Sequence, residues 1–292
     1  MRDFEYLAPT TLAEAVTALA THHGSAKPLA GGTDLIDQIR IGRLRPDFVI
    51  DIKKIPELNR LEISASGLRL GAAVPCYRIY GSPEIKRQYT ALWDSTQIVG
   101  GIQIQSRASV GGNLCNAGPA GDTTPSLIAL GAICHITGKH GPRTVPVDRF
   151  CIGPGKNVLA PGELLVELEF PAAPANSGSA YERFIPRYEM DIAVVGVGAA
   201  VTIDPATDTI IAARIGLGAV GPTPLVASDA ASLLIGQRIS DELLQKAAAA
   251  AQAIATPIDD MRGTIEFRKE VTAVLVQRVL KLAIERARHG VC

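Results

Sequence analysis

Two glycine pairs, 80 residues apart in the chain, constrain it most: Ala30-Gly31-Gly32-Thr33-Asp34-Leu35 and Ser109-Val110-Gly111-Gly112-Asn113-Leu114-Cys115-Asn116-Ala117. Each follows an apolar or small-residue approach and runs into Thr, Asp or Asn. Without a Cβ, glycine lets the backbone turn sharply and lets its N–H groups come close to an anion. Neither segment carries a lysine, so neither is the GxxxxGK[ST] phosphate loop, and neither has the GxGxxG spacing of a Rossmann turn. Read together, they are two loops that form halves of a cradle for a diphosphate, held by main-chain amides and hydroxyls. Read singly, each is an ordinary turn.

The surrounding pattern supplies frames for both loops. Thr11-Leu12-Ala13-Glu14 is a capping box, and Leu12, Ala15, Val16 and Leu19 recur at helical spacing, which predicts a helix from Leu12 to near Gly24. A strand over Lys27–Ala30 leads into the first loop, a helix over Leu35–Arg40 leaves it, and Phe48–Ile52 is a buried strand. A helix beginning directly behind Gly31 and Gly32 adds its partial positive charge to the loop amides. Farther on, Leu61–Ser64 and Leu68–Ala72 form a hairpin around Ala65-Ser66-Gly67, and Ile85–Val99 is mostly helical. Asp122-Thr123-Thr124-Pro125 caps a short helix over Ser126–Leu130, and Ala132–Thr137 and Leu164–Phe170 are strands. The unpatterned run Pro171–Gly178 marks a boundary. Beyond it come strands near Ala193–Ile203 and Ile210–Leu217, then helices near Asp241–Ala255 and Thr264–Arg288. The run Ala247–Ala251 is good helix-forming sequence.

Composition excludes several classes. Lys plus Arg equals Asp plus Glu at 29 each with no long run of like charge, so no electrostatic footprint for nucleic acid is present. The charged start and the absence of a long apolar run argue against a signal or a membrane span and for a cytoplasmic protein. Cys76, Cys115, Cys134, Cys151 and Cys292 are scattered without a CxxC pair, so no metal site and no cluster-binding motif is expected in this chain.

With these features in order, the chain resembles the FAD-binding medium subunit of the molybdenum hydroxylases, the xanthine dehydrogenase and carbon monoxide dehydrogenase family. The two glycine segments carry the resemblance, with Pro119 and Asp122, Pro161-Gly162-Glu163-Leu164-Leu165 and Asp191-Ile192-Ala193-Val194. It implies an α+β fold: a two-subdomain FAD-binding domain of the vanillyl-alcohol oxidase type over 1–175, subdivided near 55, and a C-terminal α+β domain over 176–292 with a three-stranded antiparallel sheet and helices. It implies FAD contacts at Ala30, Gly31, Gly32, Thr33, Asp34 and Leu35 from the first loop, and at Ser109, Gly111, Gly112 and Asn113 from the second. Asp122 matches a position that meets the FAD chain, Leu165 an apolar position near one end of FAD, Cys115 a position next to the flavin ring, and Arg183 and Arg187 basic positions facing the flavin.

The chemistry of these residues leaves alternatives open. Thr33 and Ser109 can donate hydroxyl hydrogens to phosphate, whereas ionised Asp34 and Asp122 can only accept. The acids therefore meet ribose or ribityl hydroxyls, or cap the helices beginning near Leu35 and Ser126. Cys115 is flavin-adjacent or core filler, and Arg183 and Arg187 are flavin-facing or solvated. The resemblance further implies an oxidoreductase subunit with no catalytic acid–base residues of its own. Its companions would be a large molybdenum-cofactor subunit and a small [2Fe–2S] subunit, with dimers of such heterotrimers among the assemblies, and an external electron acceptor. A self-sufficient FAD-dependent oxidoreductase and a non-catalytic assembly module are the alternatives.

Overall fold

The computed structural model describes residues 2–289; Cys292 lies outside them. The first unit opens on a strand not expected from sequence, β1 (Glu5–Leu7), and then follows the expected order: α1 (Leu12–Thr21), β2 (Ala26–Leu29), α2 (Leu35–Arg40) and β3 (Phe48–Asp51). The three strands form a parallel sheet in the order β1-β3-β2. Parallel strands need covered crossovers, and α1 supplies one. It is started by the capping box read from sequence, with the Thr11 hydroxyl accepting from Glu14 N and the Glu14 carboxylate accepting from Thr11 N. Ala15 and Leu19 of α1 pack with Ile50, Ile52, Ile55 and Leu58 in a small core.

The second unit is built on an antiparallel five-stranded sheet in the order β4-β5-β10-β6-β7. It contains β4 (Leu61–Ser64) and β5 (Gly67–Gly71), then five short helices, α3 (Cys76–Tyr80), α4 (Pro83–Gln88), α5 (Thr90–Thr96), α6 (Ile102–Gln105) and α7 (Val110–Asn116). These are followed by α8 (Thr123–Ala129), β6 (Ile133–Gly138), β7 (Gly141–Pro146), the small pair β8 (Cys151–Gly153) and β9 (Lys156–Asn157), and β10 (Leu164–Pro171). Leu68, Leu70, Ile79, Leu92, Leu114, Phe150 and Phe170 are fully buried between sheet and helices. The region Ile85–Val99 is mostly helical as expected, as two helices separated at Tyr89, whose ring is buried and whose hydroxyl donates to Pro171 O at 3.0 Å. One expectation is corrected here. The helix expected at Ser126 begins three residues earlier, at Thr123.

The third unit holds β11 (Ser177–Phe184), β12 (Val195–Asp204), β13 (Thr209–Gly218) and the two-residue β14 (Leu225–Val226) in one antiparallel sheet, order β11-β12-β13-β14. Three long strands thus carry the sheet and β14 adds a short fourth at its edge. Helices α9 (Ser228–Leu234), α10 (Asp241–Ile254) and the 25-residue α11 (Ile265–His289) complete it. Ala247, Ala248 and Ala251, from the alanine run, are buried in the same core as Leu275, Val276 and Val279 of α11. No helix among the described residues is long and apolar enough to cross a membrane.

Candidate cofactor cradle

The first glycine segment leaves β2 at Leu29 and enters α2 at Leu35. Gly32 has φ +78, a conformation that side chains resist. Across Gly31, Gly32, Thr33, Asp34 and Leu35, none of the five N–H groups donates to a protein acceptor among the described residues. A run of unpaired amides at the start of a helix is an anion-binding concavity. The Thr33 hydroxyl is likewise without a protein partner among them.

The second segment departs from the expected loop: Val110–Asn116 is helical, and Gly111, Gly112 and Asn113 form its first turn. Ser109 is the N-cap, and its Oγ accepts from Gly112 N at 3.1 Å, leaving the hydroxyl hydrogen free to donate. The Gly111 amide has no protein acceptor among the described residues, whereas Val110 N–H is taken up by the bridge between Pro75 and Ser109. Gly111 lies against the Ala72 backbone, where a Cβ would come 2.5 Å from Ala72 O. A Cβ on Gly112 would meet only Ser109 Oγ, at 2.9 Å, so its other side is open. Asn113 Oδ1 accepts from Thr123 Oγ1 at 2.7 Å, which leaves its Nδ2 available.

The two segments converge. A Cβ on Gly31 would overlap the Arg107 carbonyl, two residues before Ser109, so only glycine permits this approach. Asn116 Nδ2 donates to Asp34 Oδ1 at 3.2 Å, and Gln38 Nε2 donates to Asn116 Oδ1 at 3.0 Å, tying α2 to α7. Gln38 and Asn116 were not singled out in the sequence; an amide after a glycine pair is a weak signal, and its partner lies 78 residues away. Asp34 sits at the N-cap position of α2 without a side-chain cap bond. Partial desolvation by its neighbours, then Asp37, raises its carboxyl above the ordinary aspartate value, though the residue stays exposed at the surface.

Asp122 precedes α8 and does not cap it either. Its carboxylate accepts from Tyr181 OH at 3.1 Å and from Arg183 Nη1 at 2.6 Å. Arg183 is therefore not solvated: its side chain is 5 % exposed. Burial raises the Asp122 carboxyl, opposed by Arg183 and Tyr181. Arg187 is exposed and reaches Asp191 at 3.3 Å. The Cys115 thiol is pushed up to about 12 by burial, as suits packing among apolar neighbours. Cys115, Cys134 and Cys151, scattered in sequence, share one core. Leu165 is also in that core, paired with Ile136 across the sheet.

This donor set suits a dinucleotide diphosphate. Amides from two segments, the Thr33 and Ser109 hydroxyls and Asn113 Nδ2 supply hydrogens without a cation, and the bare face of Gly112 leaves room. An α+β frame with such a two-part amide cradle fits a dinucleotide-binding protein. Comparison with known proteins agrees. Residues 2–173 match the FAD binding domain in molybdopterin dehydrogenase, and residues 179–283 match the CO dehydrogenase flavoprotein C-terminal domain. The chain belongs to this family of FAD-binding subunits, and is an oxidoreductase flavoprotein subunit. It is 32% identical over 283 residues to the carbon monoxide dehydrogenase medium chain of Hydrogenophaga pseudoflava, covering 97% of this chain and 98% of that one. A putative xanthine dehydrogenase FAD-binding subunit of Escherichia coli is 30% identical over 290 residues, covering 98% of each. A solved carbon monoxide dehydrogenase structure from Hydrogenophaga pseudoflava superposes with a TM-score of 0.93 over 98% of each chain, at 32% identity.

Proposed function

We propose that this chain is the electron-transfer subunit of a heteromeric molybdenum hydroxylase. Electrons released at a molybdenum cofactor in a large subunit would reach it through [2Fe–2S] clusters of a small subunit and leave to an external acceptor. The observation that carries this reading is the convergence of the unpaired amides of Gly31–Leu35 with the Gly111 amide and the Ser109 cap at one place. The relatives named as medium chain and FAD-binding subunit support the heteromeric part. When bound, FAD supplies the redox chemistry, since it can take up and release electrons singly or in pairs.

The residues of this chain bind and orient. The amides of Gly31, Gly32, Thr33, Asp34, Leu35 and Gly111 would hold the diphosphate, with Thr33, Ser109 and Asn113 donating from side chains. Gly112 would leave the space the cofactor fills, and Ala30 would set the approach from β2. Asp34 and Asp122 would accept from sugar or ribityl hydroxyls, since a carboxylate facing a phosphate is repulsive. Arg183, fixed by Asp122, would place a cation at the flavin end, where it favours the reduced ring. Cys115 and Leu165 would form apolar wall. The reading divides the chain into an FAD-binding domain over 1–175, with subdomains near 1–55 and 56–175, and a C-terminal domain over 176–292.

The test is the absorbance spectrum of material captured through a tag on this chain from its native host. Flavin and iron–sulfur bands together, with two companion chains, are the expected result. A lone yellow chain that oxidises an organic substrate unaided, or a chain that stays colourless with added FAD, would overturn it.

A further inference from the structure

Two carboxylates belong to the cradle, and they keep different company. Asp122 is met by Tyr181 and Arg183. Asp34 has no cation: among the described residues no lysine, arginine or histidine pairs with it, and its one donor is the neutral Asn116. Burial or crowding lifts the carboxyls of Asp34 and Asp122 above the ordinary aspartate value. The other displaced acids among the described residues, such as Asp51, Glu163 and Asp260, move down. An uncompensated acid that resists ionisation therefore stands where an anion is to be held.

The surroundings decide which oxygen of Asp34 is available. Asn116 Nδ2 donates to Oδ1 at 3.2 Å, and Asn116 is itself oriented by Gln38, whose Nε2 donates to its Oδ1 at 3.0 Å. Oδ2 has no protein donor among the described residues, and the side chain does not turn back to cap α2. The Asp34 N–H is one of the five free amides that open α2, so an anion held by those amides lies beside this carboxylate. Around it stand the Thr33 hydroxyl and Asp37, the charged side chain that acts on it from its own helix. The facing segment, residues 109–121, carries no charged side chain at all.

We propose that FAD binding neutralises Asp34: a proton from solvent joins Oδ2 as the diphosphate enters, and Asn116, held by Gln38, is the positioning residue that leaves Oδ2 as the place for it. This rests on the FAD reading given above. Like charges at such range disfavour each other, and no cation is at hand to offset them. Once protonated, Oδ2 becomes a donor in place of a repelling charge, while Oδ1 keeps a second lone pair for a sugar or ribityl hydroxyl. The direction of the linkage follows from this. A group that holds its proton more tightly in the bound form favours binding in acid, and affinity falls as pH rises from its free value towards its bound one. The free value of Asp34 lies above the ordinary 3.8, so the fall begins above that pH.

The test uses the intact protein captured through a tag on this chain, stripped of flavin with concentrated bromide and titrated with FAD, comparing wild type, D34N, N116A and D37N. Calorimetry in two buffers of different ionisation enthalpy counts the protons taken up per FAD, and flavin fluorescence gives Kd across about pH 5 to 8. Circular dichroism reports the fold. Wild type is expected to take up protons, with Kd rising by roughly tenfold or more across that range. D34N should take up fewer, matching wild type in acid and binding more tightly above it. N116A removes a donor to the ionised form and should slide the fall to higher pH, whereas D37N removes a like charge and should slide it to lower pH. A contact that serves only the fold moves neither. Asp34 and Asp37 are exposed, so D34N and D37N keep the test if N116A fails to fold. FAD binding without proton uptake, or a D34N profile like that of wild type, would overturn the inference and leave the FAD reading standing. Weaker FAD binding by D34N at every pH would make ionised Asp34 a required acceptor and overturn it equally. A folded N116A with the wild-type profile would remove Asn116 from the proposal. Wild type that binds no FAD at any pH would sink both.

Discussion

At the scale of single residues, the three glycines of the cradle divide between two purposes. Gly31 is needed for packing, because the Arg107 carbonyl occupies the place of its side chain. Gly111 is held in the same way by the Ala72 backbone. Gly112 is different, since only the hydroxyl that caps α7 is near. Gly31→Ala is therefore expected to cost about 1–3 kcal/mol in stability, the usual range for forcing an atom into a filled site, with flavin lost as a consequence. Gly112→Val should keep most of the stability, losing about 1 kcal/mol with the displaced cap, yet purify with at least ~10-fold less flavin. Urea midpoints read beside flavin-to-protein ratios separate the two. If Gly112→Val keeps its full flavin, α7 does not face the cofactor.

At the scale of elements, Glu163 shows how one side chain fixes the approach to β10. Its carboxylate takes a two-point contact from Arg143, at 2.7 and 2.6 Å, and accepts from Ala160 N at 2.6 Å. The Arg143 bond is the main cause holding its pKa below 4.5 in the folded chain. A carboxyl with a lowered folded pKa contributes stability that is present above its unfolded value and is lost as pH falls through the folded one. Arg143 is 38% exposed, so solvent screening keeps the contribution to about 1 kcal/mol. Glu163→Gln should thus be less stable than wild type at pH 7, with the gap closing below pH ~4. Urea unfolding at both pH values reads it, and a gap that widens in acid would contradict the assignment. Ser109→Ala should cost α7 about 1 kcal/mol at either pH, since the cap carries no titrating group.

Much at this scale was legible in the chain itself. The capping box placed α1, the short apolar period placed α2 over Leu35–Arg40, and the turn residues placed the β4–β5 hairpin. Such signals are local, and local energetics decided them. What escaped depends on distant partners. A Gly-Gly pair disfavours helix by about 1 kcal/mol per residue, so α7 read as a loop. The Ala72 and Arg107 backbones, 39 residues before Gly111 and 76 after Gly31, decide otherwise. Asp122 stayed open between a helix cap and an acceptor for FAD hydroxyls because its partners, Tyr181 and Arg183, are 59 and 61 residues on. Strand β11 was missed because it opens on Ser177-Gly178-Ser179 behind a proline-rich run, and Gly178 is there so that α11 can lie against it.

At the scale of the whole molecule, the C-terminal sheet steadies the cradle from behind. Gly198 and Gly216 let β12 and β13 press on the Pro125 carbonyl of α8, and Tyr181 and Arg183 on β11 hold Asp122 at the start of that helix. The contact is locked by Arg286 of α11, which meets Asp94 of α5 at 2.6 and 3.0 Å and donates to Ser179 O at 2.8 Å. Asp94 also accepts from Tyr181 N at 3.0 Å. The two side chains are 16% and 12% exposed, so removing one leaves the other largely buried and uncompensated. Asp94→Ala is accordingly expected to cost about 3–5 kcal/mol, and to lower Tm by roughly 10 °C. Adding Arg286→Met removes the stranded charge and should recover a large part of the loss, although the Tyr181 amide stays unpaired. Thermal unfolding of the two single variants and the double completes the cycle. Flavin release should follow the same order, because Asp122 is held only as firmly as β11 is. Equal destabilisation in Asp94→Ala and in the double variant would mean that the cost comes from lost hydrogen bonds at β11, with the buried charge contributing little.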